Sequence, residues 1–511
     1  MRERSTHPAT LAVFVALSAA ANAQGPFADP EIVTDEAGGP WSVCAADLDG
    51  DGDTDVLCAS FHDGEIGWFE NAGGTFGPLQ LVSDETPGAW SVFAADLDGD
   101  GDTDVLSASG LDDTVGWHEN LTGGAFAPRA VISDRTDGAV CVHAADLDGD
   151  GDPDVLSASL FDHTLAWYEN LGGGSFGPQR IITTDARGAR SVVAADLDGD
   201  GDADVLCASE IDHTLAWFEN LGGSFASERV ITDHAHGARC VQAGDVDGDG
   251  DLDVLLAATL DETVAWYPNH GGGLFGAAQP IGTGLAGIGA VCGADFDGDG
   301  DLDVAAGANH PGTIAETSWF ANLGAGSFGP RQAIGGGALG LWSADLDLDG
   351  DLDLVSASPL DDRIATHENL MQPCVEGRRY CTAAPNSAGG GTLLLTAGRA
   401  SLTHNDLVLD AVGGVAGELA LFFYGSGRQE TPFGDGLLCV GGTVLRLNPP
   451  AAFDAFGDLS RPLDLDAPPA DAGPGHVTAL STWHFQLWYR DPGGGGSGFN
   501  LSDALEFTFC P

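Results

Sequence analysis

The chain has 511 residues, with 78 acidic side chains against 18 basic ones, a formal net charge of −60. At 43% hydrophobic it can bury a core, so it is not a disordered acidic tail. A surface this negative repels phosphate backbones and anionic lipid heads, which argues against nucleic-acid and membrane-surface binding, whereas it suits divalent cations.

At the amino terminus, Arg2 and Arg4 precede an apolar run from Leu11 to Ala21, and Ala21-Asn22-Ala23 offers small residues where a signal peptidase reads. Residues 1–23 are therefore expected to be a secretory signal peptide cleaved after Ala23. The run is too short to span a bilayer, and no later stretch reaches about 18 apolar residues, so no transmembrane segment is expected. The mature protein should be secreted, extracellular or at the cell surface, where its ten cysteines can pair.

Residues 24–371 repeat. An acidic nonamer begins at Asp47, Asp96, Asp146, Asp196, Asp245, Asp295 and Asp345, at steps of 49 or 50 residues. Around it recur four short β-forming segments bounded by Gly, Asp or Asn, such as Trp41–Ala46, Asp104–Ser109, Thr214–Asn220 and Phe176–Ile182. Four antiparallel strands per unit, seven times over, predict an all-β, seven-bladed β-propeller. The seventh unit has a third strand near Ile364–Asn369 but no Phe-Gly-Pro strand after it, and the missing strand stands at the other end, from Phe27 to Val33. The N-terminal strand is expected to complete the last blade.

Each nonamer places carboxylates at positions 1, 3, 5 and 9 and glycine at 6, with a further aspartate at 7 whose backbone carbonyl can contribute. These are Asp47, Asp49, Asp51, Asp53 and Asp55; Asp96, Asp98, Asp100, Asp102 and Asp104; Asp146, Asp148, Asp150, Asp152 and Asp154; and Asp196, Asp198, Asp200, Asp202 and Asp204. The last three loops supply Asp245, Asp247, Asp249, Asp251 and Asp253; Asp295, Asp297, Asp299, Asp301 and Asp303; and Asp345, Asp347, Asp349, Asp351 and Asp353. A tight loop aims alternate side chains at one centre, and hard oxygen donors in that number suit Ca²⁺ better than Mg²⁺ or Zn²⁺. Without a cation, four like charges would crowd within about 5 Å. Seven loops of five aspartates hold 35 of the 78 acids, so much of the charge is patterned for ligation rather than for a halophile-type surface. Up to seven structural calcium ions are expected.

The spacing Asp-x-Asp-x-Asp-Gly-x-x-Asp, inside a unit that also carries Trp217-Phe218-Glu219-Asn220 and Gly-Gly-x-Phe, resembles the VCBS/FG-GAP repeats over residues 26–370. These are the calcium-binding propeller repeats also found in integrin α-subunit heads. The resemblance implies a calcium-stabilised propeller for extracellular recognition or adhesion, with calcium and an extracellular protein or glycan as partners. Some propellers of this kind are attached to enzymes or are themselves lyases.

The acidic loops join the first and second strands of each blade, so they share a face with the Glu-Asn-Leu-Gly-Gly turns. The opposite face, whose loops vary between blades, is the better place for a ligand; there the sequence puts Arg135, His163, Arg187, Arg190, His213, His234 and His236. His163 and His213 occupy one repeat position, held elsewhere by Asp113, Glu262 and Asp362, which weakens them as a zinc pair. The recurrent Asp63, Asp112, Asp162, Asp212, Asp261 and Asp361 read as turn caps. The third-strand tryptophans Trp68, Trp117, Trp167, Trp217, Trp266 and Trp319 read as inter-blade packing rather than sugar platforms, with Thr366 in their place in the last blade.

Cys44 and Cys58 flank the first loop symmetrically, which suggests a cross-strand disulfide, while Cys141, Cys207, Cys240 and Cys292 read as small buried residues. Among Cys374, Cys381, Cys439 and Cys510 the favoured pairs are Cys374–Cys381 and Cys439–Cys510, one of three possible connectivities. Residues 374–511 lose the period and show β-type runs separated by Gly- and Pro-rich turns, the pattern of a smaller C-terminal β-sandwich-like domain. Within it Trp483–Tyr489 alternates faces as a core strand would.

No HExxH, GxSxG or Walker pattern is present, and the GxGxxG match at Gly493–Gly498 lies in a glycine linker. The expected function is a secreted, calcium-binding, non-catalytic propeller for recognition or adhesion. The alternative is a polysaccharide-active, lyase-like propeller with its site opposite the calcium loops.

Overall fold

Each repeat turns its short β-forming runs into a four-stranded antiparallel sheet. In the second, the strands are Ala89–Ala95, Asp104–Ser109, Thr114–His118 and Ala130–Ser133, paired in that order. The computed structural model describes residues 27–509 except 311–314, 371–377, 398–399, 401–406, 466, 471–472, 479–480 and 495. The expected signal peptide, its cleavage point after Ala23, Cys374 and Cys510 lie outside the described residues.

Among the described residues there are seven such four-stranded sheets. Consecutive residues of the second strands, such as Val105 and Leu106, are both fully buried, so these strands are covered on both faces by neighbouring sheets. The core accordingly straddles sheet boundaries: Leu106, Val115 and Trp117 of the second pack with Val155 and Tyr168 of the third. The first and last sheets meet in the same way, through Val43, Val56 and Phe69 against Val355, Ala357 and Ile364.

The seventh sheet consists of Gly340–Ala344, Asp353–Ser358 and Arg363–His367, and takes its outer strand, Glu31–Thr34, from the start of the chain. Glu31 pairs with Thr366, and Phe27 bridges Asn369. Beyond the first sheet, whose outer strand runs unbroken over Phe76–Ser83, the outer strands are shorter than the sequence runs suggest. In the third sheet, Phe176 makes a single bridge to Asn170 before pairing resumes at Arg180–Thr183. Interruption blunts an exposed sheet edge that would otherwise invite pairing with another chain.

The C-terminal region is also β-structured. One sheet orders Arg378–Tyr380, Phe499–Thr508, Thr482–Arg490, Leu419–Gly425 and Leu445–Arg446, and a second joins Leu393–Ala397, Val408–Val412 and Leu459–Pro462. Trp483, Phe485, Leu487 and Tyr489 enter the core between them with Leu394 and Leu409, so that strand is a core strand as expected. Among the described residues there is no α-helix, and none is long and apolar enough to cross a membrane.

Two cysteine expectations are corrected. Cys44 pairs in register with Leu57, and Cys58 with Val43, so the two cysteines are offset by one residue and serve different core clusters. A one-residue offset puts side chains on opposite faces of a sheet, and both remain free, buried thiols. In the C-terminal region Cys381 bonds Cys439, with a Cα–Cα distance of 6.3 Å, which overturns both favoured pairings. The short strand Arg378–Tyr380 runs beside Phe499–Thr508 and brings Cys381 next to Cys439, whose carbonyl accepts the Tyr380 hydroxyl at 3.2 Å. Cys141, Cys207, Cys240 and Cys292 are free, and buried or half-buried.

Candidate metal centres

In each acidic loop the first aspartate organises the turn that carries the others. Asp47 accepts the Gly50 amide through Oδ1 at 2.8 Å and the Gly52 amide through Oδ2 at 3.1 Å. Asp49 accepts the Asp51 amide at 3.1 Å, and Asp51 that of Asp53 at 2.9 Å. The chain coils this tightly because positions 4 and 6 are left-handed, with φ +78° at Gly50 and +97° at Gly52. Sequence reasoning credited only position 6. In the last loop Leu348 holds position 4 at φ +61°, which costs a residue with a Cβ about 1–2 kcal/mol.

The loops bring positions 1, 3 and 9 together. Asp47, Asp49 and Asp55; Asp96, Asp98 and Asp104; Asp146, Asp148 and Asp154; Asp196, Asp198 and Asp204; and Asp245, Asp247 and Asp253 each offer oxygens within 4.8 Å of one another. Position 5 is not part of these trios. In the first two loops position 7 uses its side chain to tether the loop to the turn between strands three and four. Asp53 accepts the Gly73 amide at 3.0 Å, and Asp102 the Thr122 hydroxyl at 2.8 Å.

These groups fit a divalent cation. Burial pushes the position-9 carboxyls of Asp55, Asp104, Asp154, Asp204, Asp253 and Asp353 up to about 6. In the sixth loop, burial and then neighbouring carboxylates raise Asp297 and Asp303. Asp148, Asp198, Asp295 and Asp345 each keep a buried Oδ1 without a hydrogen-bond donor, and Asp351 keeps both of its oxygens so. An orphaned buried oxygen is costly unless a cation meets it. Oxygen donors alone are the set a hard cation takes.

The position-9 aspartate also joins the metal centre to the blade interface. Asp55 is fully buried; its Oδ2 accepts the Leu48 amide at 2.9 Å and its Oδ1 the Asn71 amide at 2.8 Å. The Asn71 side chain then donates to the Thr54 carbonyl at 2.8 Å and, in the preceding blade, to the Leu346 carbonyl at 2.6 Å. The same stitch recurs from Asn120 to Leu48, Asn170 to Leu97, Asn220 to Leu147, Asn269 to Leu197, Asn322 to Val246 and Asn369 to Phe296, at 2.6–2.8 Å. Among the described residues seven such stitches link neighbouring sheets, one of them joining the first sheet to the last. Sequence reasoning gave these asparagines no role; their recurrence before the Leu-Gly-Gly turn was the available signal.

The opposite face carries a second set of stitches. His163 and His213 have left-handed φ of +65° and +66°, and Nδ1 of each lies 3.0 and 3.1 Å from the amides of Gly188 and Gly237 in the following blade. Asp113 and Asp362 accept Gly138 and Gly39 in the same manner, at 2.8 and 2.9 Å. The histidines are inter-blade acceptors, not a metal pair. Asp63, Asp162, Asp212 and Asp261 accept amides 25 residues away, in the adjoining loop, so they tie two loops together rather than cap only their own turn. The tryptophans pack between blades: Gly124, Gly174, Gly273 and Gly326 lie so close over Trp68, Trp117, Trp217 and Trp266 that a Cβ would come within 2.4 Å of a ring atom. Arg190 is not on a face loop. It stands on the innermost strand Ala189–Ala195 and lines a central cavity of about 390 Å³.

The sequence model of the FG-GAP-like repeat matches residues 47–107, 96–157, 146–207, 196–256 and 245–306, together half of the chain. No curated protein matches it. Similar solved structures include an Agrocybe aegerita lectin that recognises non-reducing terminal N-acetylglucosamine, 22% identical, with a TM-score of 0.45 over 62% of this chain and 85% of that one. Two structures of BBS1N in complex with ARL6DN, soaked with lead or mercury, are 12% and 10% identical, with TM-scores of 0.46 and 0.49 over 68% of this chain and 98% of theirs.

Proposed function

This chain belongs to the FG-GAP-like repeat family, and we propose that it is a secreted, calcium-binding, non-catalytic propeller that recognises a protein or glycan outside the cell. The observation that carries the reading is the convergence of three carboxylates in loop after loop, beside buried oxygens that lack donors. Calcium would supply the positive charge that these oxygens need, held by the aspartates at positions 1, 3 and 9 with further oxygens from positions 5 and 7. Its part is structural, because the position-9 carboxylate is hydrogen-bonded to the asparagine that stitches each blade to the last.

Recognition falls to the face opposite the acidic loops, where the repeat lets residues differ from blade to blade. The Cys381–Cys439 disulfide supports an oxidising, extracellular setting. Arrays of glycans and extracellular proteins, probed in millimolar calcium, test the reading. Saturable binding without turnover is expected; sustained cleavage of a polysaccharide would contradict it and favour the lyase-like alternative.

A further inference from the structure

Six residues before each acidic loop, the innermost strand presents one side chain to the mouth of the central cavity. The position differs from blade to blade: it holds Trp41, Trp90, Arg190 and Arg239, with valine, glycine and leucine in the other three blades. Arg190, from the fourth blade, reaches across the opening, its guanidinium carbon 4.5 Å from the Trp90 ring centroid and 5.7 Å from that of Trp41. Arg239, from the fifth, lies 5.3 Å from Trp41. Trp90 is braced by Trp41 at 5.5 Å and Phe61 at 5.1 Å. At Gly289 a Cβ would sit 3.2 Å from the Arg239 Nε and 2.6 Å from a Leu339 methyl, so only glycine leaves this arrangement undisturbed.

The charges here are not balanced. Arg129, Arg180, Arg229, Arg331 and Arg428 each pair closely with a carboxylate of their own. The two channel arginines instead share Glu210, whose Oε2 is 3.9 Å from Arg190 Nε, although the Arg190 side chain is only 10% exposed. Both guanidiniums line the open cavity with Glu210 as the nearest acid to Arg190, and the buried Trp90 indole N–H lacks an acceptor among the described residues. Burial, then the proximity of Arg239, pulls Arg190 down to about 10. Two half-buried cations that share one acid at 3.9 Å are under-compensated, and in a chain of net charge −60 a second acid could have been placed there.

We infer that the channel mouth is a binding site for one acidic sugar unit, whose carboxylate or sulfate is held by Arg190, Arg239 and the Trp90 N–H while its ring lies against Trp41. An oxyanion supplies the missing acceptors, since guanidinium forks match carboxylate and sulfate geometry. A cavity of about 390 Å³ admits a small ligand of that size. The site rests on the reading of this propeller as a recognition module and names what it recognises.

The test titrates the full chain, in millimolar calcium, with D-glucuronate, glucose 6-sulfate, D-glucose and a short peptide with a free C-terminal carboxylate, followed by calorimetry. Titration runs to about 20 mM, well past the ~1 mM dissociation constant expected of so small a ligand. One glucuronate or glucose 6-sulfate should bind per chain, at least tenfold tighter than glucose. Arg190→Gln and Arg239→Gln should each weaken it at least tenfold, while Arg180→Gln, on the outer edge, leaves it unchanged; thermal melts verify folding. Which acidic sugar binds tighter separates carboxylate from sulfate. Absence of saturable binding by either acidic sugar, binding indifferent to the two channel substitutions, or preference for the peptide would overturn the inference. Array binding of neutral glycans that survives both substitutions refutes this site and leaves the recognition reading intact; blank arrays refute that reading and this one together.

Discussion

Asn220→Ala probes the blade stitching. The Asn220 side chain donates to the Leu147 carbonyl of the preceding blade at 2.7 Å and to the Ala203 carbonyl at 2.9 Å, and its Oδ1 accepts the Gly223 amide at 2.9 Å. Truncation strips three backbone groups of partners. The buried Leu147 carbonyl loses about 1–3 kcal/mol, and the two half-buried groups about 0.5–1 kcal/mol each, for a total near 2–5 kcal/mol. Urea unfolding at saturating calcium, read by tryptophan fluorescence, measures it as a lowered midpoint with unchanged slope. Asn220→Asp is the sharper variant, because it keeps the shape but turns an oxygen toward two carbonyls, and it should cost at least as much. A loss below about 0.5 kcal/mol in both variants would refute the stitch as a source of stability.

Three further outcomes are expected. At extracellular Kd values of about 10⁻⁴–10⁻³ M and ~1 mM calcium, each site adds about 0.4–1.4 kcal/mol, so EDTA should lower the melting midpoint by more than about 10 °C, while Asp47→Ala in one loop gives only part of that loss. Leu348→Gly relieves a left-handed leucine and should raise stability by about 1 kcal/mol, measured by urea unfolding. His118 and His367 are buried beside Ser107 and Ser356, and burial holds both near 4, below the ordinary 6.5. The unfolded chain therefore takes up their protons first. Their contribution is full above pH 6.5, is lost as the pH falls toward 4 and is flat below that. At fixed calcium, the double variant His118→Gln, His367→Gln should be less acid-sensitive than the parent across that window.

The propeller was legible because its signal is periodic. A 50-residue step, turn residues at fixed offsets and a missing last strand replaced by Phe27–Val33 leave few other topologies. The acidic loops were legible for the same reason, although alternation within nine residues also predicted position 5, which the converging trios of positions 1, 3 and 9 leave out. What escaped was set by contacts that no local pattern records. The acceptor of Asn120 lies 72 residues earlier, at Leu48. The disulfide partner of Cys381 depends on a short strand lying beside one more than a hundred residues later. Cys44 and Cys58 missed each other by a single step of register, which symmetry about the loop cannot reveal. Arg190 looked like a loop residue until the inner strand was seen to begin at Ala189.

Calcium stoichiometry tests the central claim most directly. Equilibrium dialysis of the metal-stripped chain against labelled calcium should give several ions per chain, up to seven, with Asp104→Asn in the second loop removing one and leaving the others. A chain that takes up no calcium at millimolar concentration, or whose uptake is unchanged by substitution within the trio Asp96, Asp98 and Asp104, would contradict the account.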